Sequence, residues 1–289
     1  MKLIIHLILL TLFISSCNKF DKAEQRPAFL KIEAIDLTTN LSTQGSDSHK
    51  IVDAWVYIDD VLIGTFSLPN TVPITNVGEH EIKIFAGIKK NGISVDRKKY
   101  PFYQPYTITK NLEADSTYSI EPTVTYEDNI SIWFEDFEDP SFKLNPHQSD
   151  TTIQIVNGPS NLLFEGDAGG IFLNGNQYQC EMRTSEASFN NMPTNLSTPA
   201  YLELDYKSNF PLEIGILANQ VAGETYTHSA LITLNETNGA WNKTYLYLPD
   251  ASNFFANSPE FDIYFRVTNP NQVNGIEIFI DNVKVIFWN

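Results

Sequence analysis

The stretch Ile276-Glu277-Ile278-Phe279-Ile280-Asp281-Asn282-Val283-Lys284-Val285, close to the C-terminus, decides the fold class. Its three isoleucines share one face of an extended strand, because successive side chains of a strand point to opposite faces. Val283 and Val285 have the opposite parity. A regular strand cannot bury both sets on one face, so we predict a bulge or bend at Asp281-Asn282, which would redirect the Asp281 carboxylate.

Short segments with apolar residues at every second position recur along most of the chain. They are bounded by Asn, Asp, Gly and Pro, which favour turns, and helical periodicity is almost absent after the first residues. The chain has 289 residues and is 42% hydrophobic, which is enough to build a sizeable core. We therefore predict an all-β protein with two β-sandwich domains.

The first predicted domain covers residues 28–127. Two predicted strands, 54–58 and 62–66, flank Asp59-Asp60-Val61 as a hairpin, and the strand spacing is typical of an immunoglobulin-like or transthyretin-like sandwich. A further pattern within residues 54–86 is formed by Val56, Ile58, Asp59, Gly64 and 78–84. In these residues the segment resembles the surface-exposed PEGA-type repeat, and that resemblance implies a structural or adhesive module without catalysis.

The second predicted domain covers residues 130–289. About eight predicted strands in this length suit a jelly roll. Its recurring motifs contain Glu135, Phe137, Glu138, Leu202, Asp205, Tyr206, Ser208, Gly239, Trp241, Leu248 and 278–285. In these residues the domain resembles the galactose-binding-like jelly rolls found in carbohydrate-binding modules and in cleaved-adhesin domains of bacterial surfaces.

The N-terminus has the pattern of a signal peptide. Lys2 precedes an apolar run that is shorter than the roughly 20 residues needed to span a bilayer. The run ends in Ile14-Ser15-Ser16-Cys17, which resembles the lipobox of bacterial lipoproteins. We expect removal of residues 1–16, lipidation of Cys17 and a tether over 17–27. The resemblance implies a lipoprotein of the Bacteroidota type, located at the outer membrane or cell surface. The alternative is an ordinary secretory signal with an incidental cysteine.

Charge and cysteine content exclude several classes of protein. The chain has 19 Lys and Arg against 35 Asp and Glu, a formal charge of −16, and shows no basic cluster that a nucleic-acid partner would require.

After removal of residues 1–16, Cys180 could form no disulfide except with Cys17, which lipid would block. Cys180 shares a strand face with Tyr178 and Met182, so we predict a small core residue.

A structural calcium ion is implied by the jelly-roll resemblance. The positions that match the calcium ligands of these domains are Glu135, Glu138 and Asp281. Calcium prefers six to eight oxygen ligands, so acids of the first and last strands could join the two chain ends of the sandwich. The alternative is an acidic rim without an ion. A transition-metal site is not expected, because no ligand spacing links His49, His80, His147 and His228.

Catalysis is not expected. Glu203 and Asp205 begin the E-x-D-x-x-E pattern of some jelly-roll glycosidases, but Ser208 occupies the place of the second glutamate. We interpret both acids as solvent-facing partners of buried residues. No G-x-S-x-G or H-E-x-x-H motif occurs, and the Gly-rich segment 165–170 lacks the Lys-Ser/Thr of a phosphate loop.

Glycan binding requires aromatic faces that stack on sugar rings. Tyr245, Tyr247 and Tyr264 each alternate with apolar neighbours, so we expect them on the exposed face of a sheet, with Trp241 extending the platform. The alternative is that loops cover them. The sequence thus predicts a non-catalytic surface lipoprotein that binds an extracellular glycan or protein. The alternatives are a glycoside hydrolase or lyase and a structural subunit of a surface adhesin assembly.

Overall fold

The computed structural model describes residues 26–158, 162–185, 189–219 and 226–289. Within these residues the chain is almost entirely β, which confirms the predicted fold class. The predicted signal peptide, Cys17 and most of the tether lie outside the described residues. None of the helices in the described ranges is long and apolar enough to cross a membrane.

The first block consists of residues 28–127 and builds three sheets. One sheet has the order β4-β3-β6-β7 with β8 also on β6, the second has the order β5-β1-β9, and β2 pairs with β10. The strands are β1 (Ala28–Ile32), β2 (Asp36–Thr38), β3 (Asp53–Ile58), β4 (Val61–Ser67), β5 (Asn70–Ile74), β6 (Gly78–Lys89), β7 (Arg97–Lys99), β8 (Tyr106–Leu112), β9 (Thr117–Ile120) and β10 (Thr123–Thr125), with helix α1 (Leu41–Gln44).

The predicted hairpin of the first block is confirmed. β3 pairs with β4 so that Ile58 faces Val61, which leaves Asp59 and Asp60 as a two-residue loop. Both aspartates have positive φ, 47° and 64°, as the type I′ turns of tight hairpins require.

The second block consists of residues 130–289 and forms a sandwich of two sheets. The junction sheet has the order β13-β14-β21-β16-β19 with β11 also on β21, and the far sheet has the order β12-β15-β20-β17-β18. The strands are β11 (Ile130–Glu135), β12 (Leu144–Pro146), β13 (Gln154–Val156), β14 (Ala168–Leu173), β15 (Gln179–Thr184), β16 (Ala200–Ser208), β17 (Leu212–Asn219), β18 (Tyr226–Leu234), β19 (Asn242–Tyr247), β20 (Glu260–Thr268) and β21 (Ile276–Trp288), with helix α2 (Pro249–Ser252) and the 3₁₀ turn Asn253–Phe255.

Strand β21 contains the predicted bulge. Its pairing with β16 steps from Lys284 opposite Glu203 to Asp281 opposite Asp205, so two residues of β21 face the single residue Leu204. Asn282 has φ 49°, a conformation that asparagine tolerates better than most residues. The extra residue reverses the parity, so the isoleucines before it and the valines after it enter the same core.

The core between the junction and far sheets also contains Cys180 and Met182, as predicted. Cys180 is completely buried, and desolvation raises the pKa of its thiol to about 11. This cysteine is therefore a small packing residue and a poor nucleophile at neutral pH.

Candidate functional site

The outer face of the junction sheet packs against the first block. Tyr201, Tyr245 and Tyr247 belong to the same buried cluster as the core of the first block. The Tyr100 ring lies 5.2 Å from the Tyr201 ring and 5.1 Å from the Tyr245 ring, both edge to face. The expectation that Tyr245 and Tyr247 form an exposed platform is therefore wrong: Tyr245 is 1% exposed because the first block covers it.

The other two residues of the predicted platform lie elsewhere. Tyr264 is completely buried, and its hydroxyl donates to Glu213 Oε1 over 2.6 Å. The half-buried Trp241 donates from Nε1 to the Leu162 carbonyl and packs beside the Phe279 ring. The four aromatic residues do not converge, so they form no common sugar-binding surface.

Glu203 and Asp205 also face the first block, which contradicts their interpretation as solvent-facing. Glu203 accepts a hydrogen bond from the Tyr100 hydroxyl (2.6 Å) and a bifurcated one from the Tyr126 hydroxyl, which lies 3.1 Å from each carboxylate oxygen. Lys243 Nζ lies 3.3 Å from Asp205 Oδ2 and 3.8 Å from Glu203 Oε2. Since both carboxylates are buried, neither can reach a polysaccharide.

Lys284 completes this buried network at the interface. Its ammonium group donates to the Ser46 carbonyl (2.5 Å) and lies 3.4 Å from the Tyr126 hydroxyl. Burial lowers the pKa of Lys284 to about 8, although the charge of Glu203 opposes that shift. The contact between the blocks therefore contains buried charged groups, and each is stabilised by a neighbouring group of opposite charge.

A cavity of about 500 Å³, here called the junction pocket, lies between the two blocks. Its volume is within the usual range of small-molecule sites, and five of its side chains are carboxylates. The lining residues are Thr38, Thr39, Leu41, Ser46 and Asp47 from the first block and Asp136, Glu138, Glu165, Gly166, Asp281 and Asn282 from the second.

Asp281 is the unusual residue of the junction pocket. The side chain is 1% exposed, and its Oδ1 accepts from the Asn282 backbone N–H over 2.7 Å. Its Oδ2 has no hydrogen-bond partner among the described residues. Burial, reinforced by the nearby carboxylates of Asp205 and Glu165, raises the pKa of Asp281 to about 9. A cation at Oδ2 would remove the cost of ionising this group.

Two of the three predicted calcium ligands, Glu138 and Asp281, line the junction pocket. Glu135 does not, because its carboxylate accepts the backbone N–H groups of Phe137 (2.7 Å) and Lys143. The all-oxygen donors and the orphaned Asp281 oxygen fit calcium chemistry. Among the described residues, however, no three of these carboxylates offer oxygens within 4.8 Å of one another. An ion would therefore require some pocket side chains to move inward.

A second polar cluster lies on the outer face of the far sheet. Glu181 Oε1 is 2.5 Å from His147 Nδ1 and 2.9 Å from His228 Nε2. The Glu181 side chain is buried, whereas those of His147 and His228 are 18% and 26% exposed. No sequence pattern pointed to this cluster, because its members are far apart in the chain and meet only through sheet pairing.

Further polar and aromatic groups surround that cluster. Arg183 NH1 contacts Asp262 Oδ2 (3.1 Å), and its guanidinium lies 4.5 Å from the centre of the Tyr226 ring. Arg266 bridges Glu213 and Glu181. We call the set formed by His147, Glu181, Arg183, Tyr226, His228 and Arg266 the far-sheet face. It combines an aromatic ring with fixed hydrogen-bond donors and acceptors, which is the composition of a site for a polar ligand.

No family model and no curated protein matches this chain. Similarity to solved structures is found over about half of it. A mutant of a family 29 carbohydrate-binding module, complexed with mannohexaose, is 14% identical over 54% of this chain and 92% of its own, with a TM-score of 0.35. The K1 cleaved adhesin domain of Lys-gingipain from Porphyromonas gingivalis W83 is 14% identical over 54% of this chain and 97% of its own, with a TM-score of 0.37.

Proposed function

We propose that this protein is a non-catalytic bacterial surface lipoprotein that binds an extracellular glycan through the far-sheet face. The observation that carries the proposal is the arrangement of that face. Arg183, held between Asp262 and the Tyr226 ring, presents a fixed cation beside an aromatic surface. Because its ion pair and ring contact already restrict Arg183, little side-chain entropy is lost when a ligand binds.

The opposite side of the sandwich supports the same proposal. The junction sheet is covered by the first block, whose aromatic residues seal Tyr245 against it. The far sheet lies on the other side of the sandwich core from this covered face. A rigid sheet with polar groups on its outer face is suited to bind a flexible polysaccharide without changing shape.

An enzyme is the weaker proposal, because Glu203 and Asp205 are buried in the contact between the blocks. A structural subunit of an adhesin assembly remains the second alternative. Reducing-end assays on polysaccharides distinguish the hydrolase, since a binding protein releases no product. Co-purification with a surface protein in the absence of any sugar affinity would instead favour the assembly role.

Replacement of Tyr226 by alanine is expected to weaken glycan binding about tenfold, which corresponds to ~1.4 kcal/mol. The ring and its contact with Arg183 would both be lost. The measurement is affinity for the strongest ligand of a glycan array, with the whole chain. Tyr118→Ala is the matched control, because Lys110 covers the Tyr118 ring in the first block in a similar way. If no array glycan binds, or if both variants lose affinity equally, the proposed face is wrong.

Lipidation of Cys17 is the basis of the proposed location. Each buried methylene of an acyl chain contributes about 0.8 kcal/mol, so several chains together hold a protein on a membrane almost permanently. We expect the wild-type chain in the outer-membrane fraction and the Cys17→Ser variant outside it, with Cys180→Ser unchanged as the control. Mass spectrometry that finds an unmodified Cys17 in the membrane fraction would contradict the proposal.

We also propose that the junction pocket binds calcium at Asp281. The orphaned Oδ2 and the neighbouring Glu138 and Glu165 supply the negative charge. Asp47 and Ser46 belong to the first block, so an ion here would join the two blocks. Calcium would supply no catalytic chemistry and would act as a structural cross-link.

A further inference from the structure

We propose that His147, Glu181 and His228 form a binding site for a divalent transition metal, with zinc as the best match. The three residues each offer one ligand atom, and these atoms all lie within 4.8 Å of one another. The ring nitrogens that contact Glu181 Oε1 are His147 Nδ1 and His228 Nε2. Two imidazoles and one carboxylate are a common zinc ligand set. This inference does not depend on glycan binding, because it concerns the metal alone.

The spacing of the ligand atoms is close to that of a metal site. Around a tetrahedral zinc ion with bonds of about 2.0–2.1 Å, neighbouring ligand atoms are about 3.3 Å apart. In the structure both imidazoles make hydrogen bonds to Glu181, over 2.5 Å for His147 and 2.9 Å for His228. The two rings are tilted by 38° with their centres 5.9 Å apart. Small outward rotations of the rings would open the space for an ion.

The scaffold around Glu181 holds the ligands in place. The Glu181 backbone accepts from the His147 backbone N–H (2.8 Å) and from Ser149 Oγ (2.6 Å), which fixes the loop after β12 against β15. Arg266 NH1 lies 3.4 Å from Glu181 Oε2, whereas Oε1 is the carboxylate oxygen nearest to both imidazoles. Such outer contacts orient metal ligands and are a regular feature of protein metal sites.

The local charge permits a dication despite the two arginines of the far-sheet face. Arg266 is shared between Glu181 and Glu213, and Arg183 is paired with Asp262. These three carboxylates outnumber the two guanidinium groups, so a net negative charge remains. The overall charge of −16 also favours cation binding.

The chemical type of the three ligands indicates which metal binds, and the exposure of the histidines indicates whether a coordination position stays open. Imidazole nitrogen favours zinc, copper and nickel, whereas calcium and magnesium prefer oxygen alone. The side chains of His147 and His228 are partly exposed, which leaves a fourth position towards solvent for water or an external ligand. The ligands come from β15, β18 and the loop after β12, so the metal would cross-link three segments of the far sheet.

The test is isothermal titration calorimetry with zinc chloride at about pH 7.5, on the full chain purified without a histidine tag and stripped with chelator. Neutral imidazole is required for binding, so this pH favours the complex. We expect one site, with affinity lowered about tenfold or more in His147→Ala and in His228→Ala. His80→Ala is the matched control, since His80 contacts the single carboxylate of Asp59 (2.6 Å).

A second readout separates metal binding from misfolding. Zinc is expected to raise the melting temperature of the wild type and of His80→Ala, and to leave the double variant His147→Ala/His228→Ala unchanged. Both imidazoles are partly exposed, so the double variant should fold. Equal zinc affinity in the wild type and the double variant would overturn the site, as would no zinc binding by the wild type. Either result would leave the glycan proposal untouched.

Discussion

Replacement of Glu203 by alanine is expected to lower the free energy of unfolding by about 3–5 kcal/mol, the usual cost of removing one partner from a buried charge network. Lys243 would remain at the interface without this compensating carboxylate, and Lys284 would lose the negative charge that opposes the lowering of its pKa by burial. The hydroxyls of Tyr100 and Tyr126 would also lose their common acceptor. The lost stabilisation is that of the contact between the two blocks.

Urea unfolding followed by tryptophan fluorescence measures this loss. Glu277→Ala is the matched control, because Glu277 is an exposed glutamate on β21 of the same sheet, and a change within about 0.5 kcal/mol is expected there. Tyr100→Phe should cost about 1 kcal/mol, since it removes one hydrogen bond and keeps the ring. If Glu203→Ala unfolds at the same urea concentration as Glu277→Ala, the buried network does not stabilise the interface.

In the presence of chelator, Asp281→Asn is expected to be more stable than the wild type at about pH 8 and similar to it near pH 4. The pKa of Asp281 is raised to about 9 in the folded chain, mainly by burial. A carboxyl raised in this way contributes its full stability below its unfolded pKa and loses it as the pH rises towards 9. The wild type should therefore lose up to about 1.4 kcal/mol per pH unit relative to the amide.

Calcium is expected to reverse this difference. An ion at Asp281 binds the ionised carboxylate, so it should raise the melting temperature of the wild type at about pH 8 and leave Asp281→Asn unchanged. Glu135→Gln is the control, because Glu135 holds backbone N–H groups outside the junction pocket and the calcium response should survive its replacement. A wild type that melts at the same temperature with calcium and with chelator would remove the ion from the proposal.

Residue alternation predicted the local structure well. The change of parity at Asp281-Asn282 predicted the bulge, and the pair of aspartates before Val61 predicted the hairpin; both are present. Cys180 was assigned to the core for the same reason. In each case the deciding interaction is between neighbours along one strand or across one turn, so the information is contained in a few consecutive residues.

The same alternation could not predict what packs against the outer face of each sheet. Tyr245 and Glu203 were correctly placed on the face away from the sandwich core, but the first block buries that face. A period of two distinguishes two faces of a strand and contains no information about a second domain. The tyrosines and acids were therefore wrongly expected in solvent.

Sequence alone established the all-β class, the bulge in β21 and the acidic surface, because these depend on local side-chain pattern and on composition. It also predicts the lipoprotein signal, because that pattern lies in consecutive residues. Only tertiary structure brought His147 and His228 to Glu181 and enclosed Asp281 between the blocks. Those groups meet across strands and across the interface, and the burial that shifts their chemistry comes from residues distant in the chain.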